Sequence, residues 1–266
     1  MKLTMLGTGN ALVTRCYNTC FVLQDEKGSL LVDGGGGNQL LVQLEKAAID
    51  WKDIHEIVIT HKHIDHIMGI IWMIRMIAQN MKADHYEGEV FIYGHEEVIC
   101  LLKEMALKLF NEKMTVFFDK RIHFVIVKDK EIRRLMGHDV IFFDIHSTKD
   151  QQFGFQMLYD DKHKLTCLGD EPYNETEAAY VKGSTWLLHE AFCLSSEEAL
   201  YHPYEKHHST VKDACDLAQA MKIDHLLLYH TEDHHIKERK TLYTQEGQDY
   251  YHGHLYVPDD LESVIL

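Results

Sequence analysis

The sequence predicts an α/β protein in which two mixed sheets lie face to face with helices outside, a four-layer α/β sandwich. Two observations predict it. Strand-like runs alternate with hairpins and single helices, and the second half of the chain repeats the style of the first. No Pro-rich or Ser-rich linker, low-complexity segment or short repeat interrupts the 266 residues, which include only three prolines. Residues 1–266 therefore read as one domain with two similar halves, about 1–130 and 131–266.

Met1–Leu6 reads as a strand and Gly7-Thr8-Gly9-Asn10 as a tight turn. The G-x-G lacks the third glycine and the ribose-binding acid of a dinucleotide site, so that reading is rejected. Thr19–Leu23 and Ser29–Val32 read as strands joined at Asp25–Gly28. Asp33 and the glycines Gly34–Gly37 follow, a run that permits close backbone approach. Gln39–Ala48 is helical, with Leu40, Leu41, Leu44 and Ala47 on one face. Asp33 either orients a nearby histidine or caps this helix.

The Ile/Val-rich run Ile54–Ile59 predicts a buried strand, and Gly69–Ile77 lies in a buried helix that reaches about Asn80. Val90–Tyr93 reads as a strand, Glu96–Phe110 as a helix, and Phe117–Val127 and Val140–Ile145 as strand material. Phe153–Leu158 and Leu165–Leu168 form a hairpin ending at Gly169-Asp170. Thr185–Leu188 leads to His189-Glu190. Val211–Met221 is a helix opened by a Thr210/Asp213 capping box, and Ile223–Tyr229 is a strand ending at His230.

A hydrophobic content of 45% supplies a core, so global disorder is excluded. A formal charge of -15 disfavours nonspecific binding to nucleic acid or to anionic membranes. The six cysteines contain no C-x-x-C pair and read as reduced thiols of a cytosolic protein. The chain opens directly into strand, without a signal peptide. Its longest apolar run, Ile67–Ile77, contains Arg75 and is too short to span a bilayer. The expected location is the cytoplasm.

The chemistry is concentrated in Thr60–His66, T-H-K-H-I-D-H, between the strand and the helix. His61 and His63 are two apart and face the same side in extended chain. Asp65 and His66 follow as the chain bends and reach a second point nearby. Imidazole nitrogen and carboxylate oxygen suit zinc or a similar divalent ion. Further residues of metal-binding type stand at strand ends: His146, Asp170 and His230.

In order, M-L-G-T-G-N, L-L-V-D-G-G-G-G-N, T-H-K-H-I-D-H-I-M-G, D-I-H-S, L-G-D, L-L-H-E-A-F, H-S-T-V-K-D-A and L-L-L-Y-H-T resemble the motifs of the metallo-β-lactamase superfamily, in its ribonuclease Z-like branch of phosphodiesterases. The resemblance implies the αββα fold of that superfamily and a centre of two divalent ions, zinc above manganese or iron. One ion would take His61, His63 and His146, the other Asp65, His66 and His230, with Asp170 bridging. It also implies metal-assisted phosphodiester hydrolysis, with Asp65 counted among the catalytic groups. His208 would give the leaving alkoxide its proton, and Glu190 would keep His208 protonated.

Ribonuclease Z carries a long tRNA-binding arm between its third metal motif and its bridging aspartate. Between His146 and Asp170 this chain has room for one hairpin. With the acidic charge, this favours a small phosphodiester, cyclic phosphate or nucleotide over RNA as substrate. The cysteine-rich zinc site of the cyclic-phosphate phosphodiesterase of phosphonate breakdown, a related small enzyme, is not visible here. No membrane partner is expected, and a homodimer is in keeping with the branch. The competing readings are an RNA (tRNA 3′-end) endonuclease and a non-hydrolytic redox or sensor di-metal protein. The pair His208 and Glu190 argues against the last, since binding alone needs no leaving-group acid.

Overall fold

A computed structural model describes all 266 residues. The strands are β1 (Lys2–Gly7), β2 (Cys20–Asp25), β3 (Gly28–Val32), β4 (Ile54–Val58), β5 (Val90–Gly94), β6 (Ile122–Ile126), β7 (Ile132–Leu135), β8 (His138–Asp144), β9 (Phe153–Leu158), β10 (Lys164–Cys167), β11 (Trp186–Glu190), β12 (His225–Tyr229), β13 (His254–Tyr256) and β14 (Ser263–Ile265). The helices are α1 (Gln39–Lys46), α2 (Ile64–Lys82), α3 (Glu96–Leu109), α4 (Glu112–Thr115), α5 (Ala178–Val181), α6 (Glu198–Tyr201), α7 (Val211–Met221) and α8 (Arg239–Gln248).

The strands form two seven-stranded sheets, ordered β14-β1-β2-β3-β4-β5-β6 and β13-β12-β11-β10-β9-β8-β7. Each begins with antiparallel hairpins and continues with parallel strands, β3 to β6 in one and β10 to β13 in the other. The chain changes sheet between β6 and β7. Period-two alternation sorts the apolar side chains to opposite faces. Leu30 and Val32 join the core between the sheets, with Phe142, Phe155 and Leu165. Leu31 points the other way, to α1, α2 and α3. A third core packs α7 and α8 against the second sheet. Helix, sheet, sheet, helix is the four-layer sandwich of the metallo-β-lactamase fold.

The hairpin at Asp25–Gly28 and the capping box of α7 form where the residues predict them. Phe117–Val127 does not form one strand: only Ile122–Ile126 pairs in the sheet, because the backbone before it is committed to turns, with Lys120 N, Arg121 N and Ile122 N all donating to the Phe117 carbonyl. Strand β7 pairs with β8 across Met136-Gly137, whose positive φ values make a tight return. The sequence reading missed α8, because that helix has no apolar stripe. It is held by buried Arg239, which donates to Thr8, Thr231, the Pro258 carbonyl and Asp259. Strand β14 returns from the far end of the chain to edge the first sheet beside β1.

The glycine run after Asp33 exists for contact with α2. A Cβ on Gly69 would lie 1.8 Å from the Gly34 carbonyl oxygen, and one on Gly34 would lie 2.6 Å from Ile70 N. Gly69→Ala is expected to cost about 1–3 kcal/mol through forced displacement of the loop or helix. A denaturation midpoint that falls at unchanged m-value would show this. An unaltered midpoint would mean that the loop yields freely.

Glu177 precedes α5 and is buried. Asn174 donates to its Oε1 at 2.7 Å, while Oε2 has no partner. Burial, with the Glu171 charge nearby, pushes its carboxyl from 4.5 up to about 9, against an opposing hydrogen bond from Asn174. The folded value lies above the unfolded one. Stability from this group is therefore complete below the unfolded pKa and declines as pH rises toward the folded value. Glu177→Gln is expected to add about 1–3 kcal/mol at pH 8 and to flatten that decline. Unfolding free energies measured from pH 5 to 9 test it, and an unchanged slope would count against it.

Candidate metal centre

Both sheets deliver their strand ends to one place. Beyond β4 come Thr60, His61 and His63; α2 opens with Asp65 and His66; β10 leads to Asp170, β11 ends in Glu190, and β12 leads to His230. His61, Asp65, His66, Asp170 and His230 are all at least 97% buried. Asp170 Oδ2 stands 3.5 Å from His61 Nε2, 3.6 Å from His66 Nε2 and 3.4 Å from His230 Nε2. Asp65 Oδ2 stands 3.4 Å from His66 Nε2 and 3.5 Å from His230 Nε2. These separations are long for hydrogen bonds. They match ligands around one ion: donors each about 2.1 Å from a tetrahedral centre lie about 3.4 Å apart. His66 Nε2, Asp170 Oδ1 and both nitrogens of His230 are buried without a hydrogen-bond partner. Orphaned polar atoms in such a place are costly unless something else binds them. The residues fit a divalent ion.

The electrostatics agree. Burial disfavours charge on Asp65 and Asp170, yet the surrounding imidazoles hold both carboxyls well below the usual range, so both are anions. Burial pushes His61 down, toward the neutral form a ligand needs. His66 is also penalised by burial, but Asp65 and Asp33 carry it upward. The point between these groups calls for positive charge.

Asp33 settles the question left by its position. It does not cap α1, whose N-cap is Asn38. Its Oδ2 faces His66 Nδ1 at 2.8 Å and accepts from Thr60 Oγ1 at 2.8 Å, while Oδ1 accepts from Thr60 N at 2.8 Å. Thr60 Oγ1 in turn stands 3.0 Å from His61 Nδ1. One carboxylate thus fixes the outward nitrogens of two histidines and turns both Nε2 atoms inward, the usual support for ligating imidazoles.

His63 and His146 are placed differently. His63 Nδ1 is 2.8 Å from His61 Nε2, beside the cluster, and its Nε2 is 3.2 Å from Asp150 Oδ2. Asp150 also pairs with Lys62 at 2.6 Å; nothing in the sequence pattern singles it out, since it touches His63 only through the folded 146–152 loop. His146 is not brought in. Its side chain is 58% exposed. The loop after it is tied elsewhere: Ser147 donates to Glu171 at 2.6 Å, and Thr148 Oγ1 meets His207 Nδ1 at 2.6 Å.

His208 lies on the opposite wall. Its ring is 5.2 Å from that of His230 and stacks on Phe192 at 5.0 Å. Its Nδ1 is 3.5 Å from Glu190 Oε2, a charge pair that is not aligned as a hydrogen bond. Glu190 is fully buried and accepts from Ser209 N through its other oxygen. Burial penalises the imidazolium, but the Glu190 charge outweighs it and raises the His208 pKa. The neighbouring His207 is exposed. His189 is buried and turned toward the Glu190 carbonyl at 2.6 Å. A cleft of about 330 Å³ opens beside His208, lined by Leu12, Phe192, Tyr201, Lys206 and Glu232 among others. The Gly7–Asn10 turn braces the site: Thr231 N donates to Thr8 O, and Asn10 N to Thr231 O, both at 3.0 Å, just beyond His230.

Comparison with known proteins agrees with this architecture. Ribonuclease Z of Thermococcus sibiricus is 24% identical over 305 residues, covering 100% of this chain and 96% of its own. The metallo-β-lactamase fold protein YhfI from Bacillus subtilis superposes with a TM-score of 0.80 at 16% identity, over 99% of this chain and 98% of that one. A diphosphatase from the PhnP family superposes at 0.73 with 18% identity, over 100% and 97%. No helix is long and apolar enough to cross a membrane. The chain is a ribonuclease Z-like hydrolase of the metallo-β-lactamase superfamily. The model of the anti-Pycsar protein Apyc1 family matches residues 1–249, and to that family the chain belongs.

Proposed function

We propose that the protein is a phosphodiesterase with two divalent ions, zinc first and manganese or iron as substitutes, and that it cleaves a small phosphodiester, cyclic phosphate or nucleotide. The observation that carries this reading is the pairing of a buried carboxylate–imidazole cluster with a second, carboxylate-backed histidine across a small cleft. His61 and His63 would hold one ion; His146, exposed here, would complete that set only after its loop turns inward. Asp65, His66 and His230 would hold the other, and Asp170 would bridge. When bound, such a pair polarises the phosphoryl oxygens and lowers the pKa of water toward neutrality. Asp33 and Thr60 keep the inward nitrogens of His61 and His66 aimed. Glu190 keeps a proton on His208, and Nε2 is the nitrogen left to offer it to the departing oxygen. Phe192 and Tyr201 form an aromatic side of the cleft beside His208. The whole chain is read as one domain, since both sheets contribute donors to the one site.

The cleft has the volume of a small-molecule site, and the β9–β10 hairpin between His146 and Asp170 is short. Both favour a small substrate over RNA, the substrate suggested by the ribonuclease Z relative. Hydrolysis should be compared on bis-p-nitrophenyl phosphate, on 2′,3′- and 3′,5′-cyclic mononucleotides and on a short RNA. The expected order puts a cyclic mononucleotide at least tenfold above RNA in kcat/KM. RNA cleavage at the higher efficiency, with a steep salt dependence from several phosphate contacts, would reverse the assignment.

A further inference from the structure

A second convergence of donors lies outside the cluster just described. Glu197, Glu232 and His235 bring ligand atoms within 4.8 Å of one another. Glu232 is only 3% exposed. Its Oε2 accepts from Tyr201 OH at 3.3 Å and from His234 N, while Oε1 is buried and has no partner. Glu197 repeats the pattern: Oε1 meets His235 Nε2 at 2.8 Å, and Oε2 is buried and unpartnered. Each carboxylate therefore has one satisfied oxygen and one orphan. Leaving buried charged oxygens unpaired is costly, and two adjacent carboxylates repel. A proton on His235 would still leave one net negative charge among the three. A divalent cation with a neutral imidazole would leave none, and would give these buried carboxylates the partner they lack.

We propose that Glu197, Glu232 and His235 bind a further divalent cation, separate from the ion pair proposed at His61–His230. Two carboxylate oxygens and one imidazole nitrogen suit zinc or manganese, with water completing the shell. Its consequence is local. Glu197 sits on the segment that also carries Phe192, Tyr201 and His208, whereas Glu232 and His235 follow directly on His230. The ion cross-links the two stretches that wall the cleft and holds His208 against His230. It is a structural ion for that wall and takes no part in the reaction.

The test is a metal count. Wild-type protein is stripped with chelator, reloaded with zinc or manganese, freed of excess and measured by elemental analysis beside Glu197→Gln and His235→Gln. These changes preserve side-chain size, and near-UV circular dichroism checks that each variant is folded. Wild type is expected to hold three ions per chain and each variant two. Crystals soaked in manganese should show an anomalous peak between the three side chains in wild type and none in the variants. Equal counts in all three proteins, or a filled His61–His230 cluster with no peak at Glu232, would overturn the proposal. If the two-ion reading of the main centre failed instead, the wild-type count would drop, yet the difference of one ion between wild type and variants would persist.

Discussion

Asp170→Ala is expected to remove metal binding and hydrolysis together, with activity falling by at least about 10⁴-fold, equivalent to about 5.5 kcal/mol of transition-state stabilisation. No other side chain has one oxygen within 3.6 Å of His61, His66 and His230 at once. Its removal leaves three imidazoles converging with only Asp65 to balance a cation, and takes away the oxygens suited to span two ions. Asp170 is buried, so solvent cannot readily substitute for the lost carboxylate. Elemental analysis and turnover measured on the same preparation give the answer. A variant that retained its ions with near-wild-type turnover would refute the bridging role.

His208→Ala should keep the ions and lose turnover selectively. The side chain stands beside His230 but is backed by Glu190, whose charge outweighs the cost of burial and raises the histidine's pKa, favouring the protonated form. A general acid matters in proportion to how poor the leaving group is. On a cyclic nucleotide, whose leaving alkoxide is strongly basic, the loss is expected to be about 10²–10⁴-fold. On bis-p-nitrophenyl phosphate, which releases a stable phenolate, it should be under about tenfold. The ratio between the two substrates is the readout, because a merely structural lesion would depress both alike. Equal losses would remove His208 from the role of proton donor.

The arrangement of elements was largely legible because it rests on local signals. Apolar runs of strand length, a hairpin at Asp25–Gly28 and a capping box at Thr210 each need only a few neighbouring residues, and each appears in the fold. The elements that were missed lack such signals. Helix α8 hides its reason in one buried arginine, and β7, β13 and β14 are only three or four residues long. Strand β14 depends on pairing with β1 across the whole chain, an approach that no local pattern encodes.

For the site, the sequence by itself determined the chemistry on offer: histidines and aspartates at strand ends, with His61, Asp65 and His66 within one strand-to-helix turn. Tertiary structure decided where each of them stands. It assigned Asp33 to orient His66 rather than cap α1, brought Asp150 to His63, separated buried His208 from exposed His207, and left His146 on an exposed loop. It also joined Glu197 to Glu232 and His235, a set no spacing suggests. The physical reason is common to all of these. Residue type and period fix which groups stand at an element's end, but a ligand set is defined by contacts across tens of residues, and those follow only from how the two sheets and their loops pack.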